Sequence, residues 1–142
     1  MTTNEYDGKL PVEVEAEIIA LCEACKMGEN YDTACDLVYI WIKDEKIVGV
    51  IAFKRTFFDK GLKGLRIEHI FGTEAVRKTI QGPQFLIKVF SMVAKKGFNQ
   101  VWCYVTSAKK YMYNYAIKFG FTQYANDNNG VFLVKNIGGS SV

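Results

Sequence analysis

Apolar residues recur at helical spacing from Val14 through Ile18, Leu21 and Cys22 to Cys25, which predicts a helix. Pro11 starts it, at a position where proline is tolerated, and Gly28 ends it. Glu13, Glu15 and Glu17 occupy its first turns, where carboxylates suit the helix dipole. From Val38 the pattern changes to short apolar runs. Val38–Lys43 and Ile47–Arg55 flank the polar triplet Asp44-Glu45-Lys46 and read as an antiparallel hairpin. Leu65–Phe71 sets Leu65, Ile67, His69 and Phe71 against Arg66, Glu68 and Ile70, the alternation of a third strand. A loop over Gly72–Gly82 follows, then a helix from Pro83 with a core stripe of Leu86, Val89, Phe90 and Val93, closed by Gly97. Val101–Val105 is apolar on both faces, as expected of a strand covered on both sides. The helix after it stops at Gly120, and a hairpin about Asn126–Gly130 leads into a last strand, Val131–Lys135.

The order is helix, hairpin, strand, helix, strand, helix, hairpin. It predicts an α/β (α+β) fold: a mixed, mostly antiparallel sheet with helices on both faces. The 142 residues fit one domain, with a core over about 11–135, a polar arm at 1–10 and a flexible tail at 136–142. A further loop, Phe57–Gly64, is expected to expose Lys60 and Lys63 between glycines.

Charge changes this picture more than composition does. Residues 1–36 carry nine acids and two bases, a balance of −7, while residues 37–142 carry six acids and sixteen bases, +10. The basic part suits a phosphate-bearing cofactor, a nucleic acid or an acidic protein face; equally, the acidic first helix can pack on the basic remainder. No apolar run is long enough to cross a bilayer, and the first residues are not a signal peptide, so the expected location is the cytoplasm of the cell that makes it. Cys22 and Cys25 form a C-x-x-C, but inside a helical pattern and without a second such pair. With Cys35 and Cys103 they are expected to be reduced thiols, serving as small hydrophobes.

Two adjacent residues stand out chemically. Glu68 and the single histidine, His69, lie on the third strand, and either a carboxylate or a neutral imidazole can take a proton from an amine. The bland alternative is a hydrogen-bonded core histidine beside a surface glutamate. Tyr111, Tyr113 and Tyr115 beside Lys109 and Lys110 suggest base stacking, yet a period of two spreads rings around a helix. With no nucleic-acid-binding signature elsewhere, nucleic acid is not an expected partner.

The ending Lys118-Phe119-Gly120-Phe121 and the hairpin VYIWIKDEKIVGVIAFKR resemble the GNAT (acyl-CoA N-acyltransferase) superfamily over about Pro11–Lys135. The family's first strand, before its first helix, looks missing here. The resemblance implies three local signatures, and the chain departs from each. A glycine-rich turn that cradles the CoA pyrophosphate falls on Gln81-Gly82-Pro83-Gln84-Phe85-Leu86. A tyrosine four residues before the Gly-Phe falls on Ala116, with Tyr115 next to it, and an asparagine eleven before the glycine falls on Lys109. If the family's chemistry is retained, the resemblance implies Glu68 or His69 as the base, Tyr115 or Tyr113 as the acid, and Arg77, Lys78, Gln81 and Gly82 as the CoA site.

The three departures together favour a domain that has lost acyl transfer and needs no cofactor. Trimmed chains of this kind resemble virion-associated proteins of tailed phages, and MYNYAIKFGF is similar to their helix ends. The expectation is therefore a structural component with protein partners in a larger assembly, in the host cytoplasm or incorporated into a virion. The alternative is an active N-acyltransferase that uses acetyl-CoA.

Overall fold

The structure is a computed structural model and describes residues 2–25, 30–55 and 64–138. Gly28, most of the expected loop at 57–64 and the tail from Gly139 lie outside them. The elements run β1 (Thr2–Asp7), α1 (Val12–Ala24), β2 (Leu37–Lys43), β3 (Lys46–Lys54), β4 (Leu65–Gly72), α2 (Glu74–Lys78), α3 (Gln81–Lys95), β5 (Gln100–Thr106), α4 (Lys110–Lys118), β6 (Thr122–Asn126) and β7 (Gly130–Asn136). Among the described residues seven strands form one sheet in the order β1-β2-β3-β4-β5-β7-β6. The pairs β1/β2, β2/β3, β5/β7 and β6/β7 are antiparallel, while β4/β5 is parallel. This is the mixed, mostly antiparallel sheet that the element order predicts. The chain divides into two compact units, Met1–Lys54 with Ile67–Val89, and Arg55–Arg66 with Phe90–Val142.

In the first unit the two sides of the β2–β3 hairpin are buried by different helices. Ile18 and Cys22 of α1 join Val38, Ile40, Val50 and Ala52 in one cluster. On the other side Leu37, Tyr39, Ile51 and Phe53 are fully buried, and Trp41 stacks on Phe85 of α3 with ring centroids 5.3 Å apart. Cover on both faces explains why β2 reads as an unbroken apolar run and not as an alternation. Each such side chain contributes about 1.5–3 kcal/mol on burial. The hairpin turn places Asp44 and Glu45 both at positive φ, 51° and 64°, as a two-residue turn matched to strand twist requires. A register shift at Trp41/Ile42 accompanies the turn, and the Glu17 carboxylate of α1 accepts the Ile47 N–H at 2.8 Å. The helix is thereby pinned to the strand.

Three expectations are corrected here. Residues 2–7 are not an arm: they form the first strand, which was expected to be missing, paired from Thr2↔Ile42 to Asp7↔Leu37. An edge strand is held by its ladder and needs few apolar residues, so its pattern is polar; the Tyr39 hydroxyl adds a 2.6 Å bond to Glu5. The 72–82 segment contains a short helix, α2, too brief to show a period. Finally, α3 begins at Gln81, before Pro83. The Gln84 N–H is the one that closes the first turn, on the Ile80 carbonyl at 3.1 Å, so proline two residues into the helix removes no intrahelical bond.

The second unit is organised by β5. Val101, Trp102 and Val105 are buried, whereas Cys103 and Tyr104 are only half-buried, so cover is less complete than the sequence implies. At the end of α4 the Phe121 N–H donates to the Ala116 carbonyl (3.0 Å) and the Gly120 N–H to that of Ile117 (3.1 Å). Gly120 sits at φ +103°, a region closed to most side chains. This pair of bonds is the Schellman motif, and it folds Phe121 back beside Phe90, with centroids 6.2 Å apart. The predicted helix stop is the observed one. β7 runs on to Asn136, and the Ile137 and Gly138 amides both donate to the Asn99 carbonyl.

The cysteines behave as hydrophobes. Cys22 and Cys35 are buried in the first unit's core, and the Cys25 thiol donates to the Gly72 carbonyl at 3.2 Å. Among the described residues no group of three or more His, Cys, Asp and Glu could hold a metal ion. Burial pushes the Cys35 and Cys103 thiols up to about 12 and raises that of Cys25. Thiolate is the reactive form, so the native protein at pH 8 is expected to react with a disulfide reagent at least about tenfold more slowly than the urea-unfolded chain. Equal rates would contradict this burial.

Candidate active site

β4 turns Glu68 and His69 to opposite faces, and their environments differ. His69 is 4% exposed, with the Tyr31 ring 5.0 Å and the Phe71 ring 6.5 Å from its own. Its Nε2 accepts the Asp32 N–H at 2.8 Å, so that nitrogen carries a lone pair and no proton. The imidazole thus fastens the connector between α1 and β2 onto β4. Asp32 continues the link, because its carboxylate forms an ion pair with Lys54 of β3. The Lys54 hydrogen bond holds the Asp32 carboxyl below its ordinary range, and the same contact raises Lys54. Glu68 is half-buried on the other face of β4, and its charge is close enough to act on Lys54 and Cys35. Sequence reasoning missed Tyr31, Asp32 and Lys54, and no motif marks them. The only available hint was a polar connector beside a lone histidine.

The expected phosphate residues gather where α2 gives way to α3. Arg77 Nε donates to the Gly72 carbonyl (3.2 Å), and Lys78 pairs with Glu74 across one turn (2.8 Å). The Thr79 hydroxyl accepts the Gln81 N–H at 3.2 Å and so already serves one first-turn amide. Pro83 has no N–H. The Gly82 N–H is another first-turn amide, and such amides have no intrahelical acceptor. One backbone amide with the Arg77 and Lys78 cations fits a phosphate group, although with fewer amides than a glycine-rich turn supplies.

Tyr115, in the second unit, is 40% exposed and stacks parallel on Phe119, with centroids 6.3 Å apart. Burial raises its phenol pKa, so it carries its proton at neutral pH. Ala116 is buried and supplies the carbonyl that Phe121 caps, while Lys109 is the residue before α4. The first unit therefore holds Glu68, His69, Arg77, Lys78, Gln81 and Gly82, and the second holds Tyr115.

No family model and no curated protein sequence matches the chain. Solved structures do. An aminoglycoside 6'-N-acetyltransferase complexed with coenzyme A superposes with a TM-score of 0.74 at 15% identity, covering 100% of both chains. The PaiA N-acetyltransferase from Thermoplasma acidophilum, in complex with coenzyme A, gives 0.70 at 14% identity over 96% of this chain and 99% of that one. The ribosomal-protein-S18-alanine N-acetyltransferase from Escherichia coli gives 0.71 at 10%, over 99% and 97%. At these identities the likeness establishes the fold, and the chain has the GNAT fold.

These neighbours overturn two expectations, a structural virion component without acyl transfer and the absence of a cofactor. They are acetyltransferases, and two of them hold coenzyme A. The expectation of lost acyl transfer rests on three local positions. One of those, the turn at Gln81–Leu86, still opens a helix next to Arg77 and Lys78.

Proposed function

We propose that this GNAT-fold chain is an acyl-CoA N-acyltransferase that moves an acetyl group from acetyl-CoA to an amine. The observation that carries the reading is agreement along whole chains: the coenzyme A-bound aminoglycoside acetyltransferase is covered from end to end. In the reaction the amine nitrogen attacks the thioester carbonyl. A C–N bond forms, the C–S bond breaks, the amine gives up a proton and the thiolate gains one. Glu68 is the base we assign. The Nε2 lone pair of His69 is taken by the Asp32 N–H, so His69 holds structure in place of accepting the substrate proton. Tyr115, protonated and partly exposed, is the acid we assign to the leaving thiolate. Arg77, Lys78, Gln81 and Gly82 are the residues we assign to the phosphates of CoA. No described helix is long and apolar enough to cross a membrane.

The test is a thermal-shift titration with acetyl-CoA, followed by a thiol-release assay over a panel of amines. A ligand at a hundred times its Kd stabilises by about 2.7 kcal/mol, which a melting curve resolves. Saturable stabilisation with amine-dependent thiol release is the expected result. No stabilisation, together with no thiol release for any amine, would overturn the proposal.

A further inference from the structure

The second unit contains a cleft that the reading above does not use. It has a volume of about 290 Å³ and lies where the end of β5, the start of α4 and the β6–β7 turn come together. That is near the lower edge of ordinary ligand pockets, which start at about 300 Å³, and suits a ligand of amino-acid size. Val105 and Val131 give it apolar wall, Ser107 and Tyr113 contribute hydroxyls, and Lys110 and Asp127 are its two charged residues.

The turn that forms one side is already rigid. Asp127 Oδ1 accepts three bonds, from the Asn129 N–H (2.8 Å), the Gly130 N–H (3.0 Å) and the Tyr104 hydroxyl (2.8 Å). The Ser107 N–H donates to the Asn129 carbonyl at 2.8 Å, which ties the turn to the segment entering α4. Gly130 permits this approach, since a Cβ there would stand 2.4 Å from the Val105 carbonyl oxygen. Walls fixed in advance lower the ordering cost of binding. All three bonds fall on one oxygen of Asp127, and Oδ2 takes none of them. The cleft therefore offers a cation from the helix, an anion from the turn, and apolar wall from two strands.

We infer that this cleft binds a small zwitterion of amino-acid size, with its carboxylate on Lys110 and Ser107 and its ammonium on Asp127. A simple anion would meet the Asp127 charge, and a simple cation would meet that of Lys110; a zwitterion satisfies both. The inference does not depend on acyl transfer.

The test is an NMR titration of the ¹⁵N-labelled full chain with glycine, L-serine and L-valine, alongside their N-acetyl and carboxamide derivatives. At least one free amino acid should shift the amides of Ser107, Asn128 and Val131 saturably. Its N-acetyl and carboxamide forms, each missing one charge, should bind at least about tenfold more weakly. Lys110→Met and Asp127→Asn should weaken binding similarly; the second keeps an Oδ1 for the three turn bonds, and an unchanged melting temperature would confirm folding. No saturable shift with any of the three amino acids, or equal binding of the N-acetyl forms, would overturn the inference.

Discussion

Replacing Glu68 with glutamine is expected to lower kcat/KM by about 10²–10⁴ while leaving the melting temperature nearly unchanged. The rate loss follows from the work assigned to a general base, which is worth that range in measured enzymes. The small stability effect follows from position: Glu68 is half-buried, and glutamine fills the same space with the same reach. A pH profile separates a base from a bystander. Above the pKa of the acceptor amine the substrate arrives already deprotonated, so the deficit of E68Q should shrink as pH rises. A deficit that is constant with pH, or activity within a few-fold of wild type, would remove Glu68 from the mechanism.

Much of the scaffold behind that assignment is readable in the chain. Gly120 and Phe121 announce the end of α4 because only glycine takes the turn cheaply, and Phe121 must go inward. The β2–β3 hairpin is equally plain, since its apolar runs are covered on both faces. What escaped has physical reasons. β1 is an edge strand held by backbone pairing with β2, and backbone bonds leave no trace in side-chain pattern. α2 is five residues long and shorter than any period that could reveal it. The site was legible only as residue types. The chain puts a carboxylate beside an imidazole on one strand; it does not say which group the imidazole nitrogen accepts from. That depends on Asp32, thirty-seven positions away.

The same pair supplies the second large prediction. His69→Ala is expected to cost about 2–4 kcal/mol of stability, combining a core cavity with a stranded Asp32 N–H. Tyr31 and Phe71 lose a ring they pack against, and the connector loses its fastening to β4. His69→Phe divides the terms, because it restores an aromatic ring without restoring an acceptor. Its cost should be smaller, about 1–3 kcal/mol, as befits one unsatisfied amide. Urea unfolding measures both. For each variant, kcat under folding conditions should stay far closer to wild type than that of E68Q. Adjacent residues on one strand would then fail differently, Glu68 in rate and His69 in stability. A His69→Phe variant as stable as wild type but with the rate loss of E68Q would reverse the assignment and make the imidazole the base.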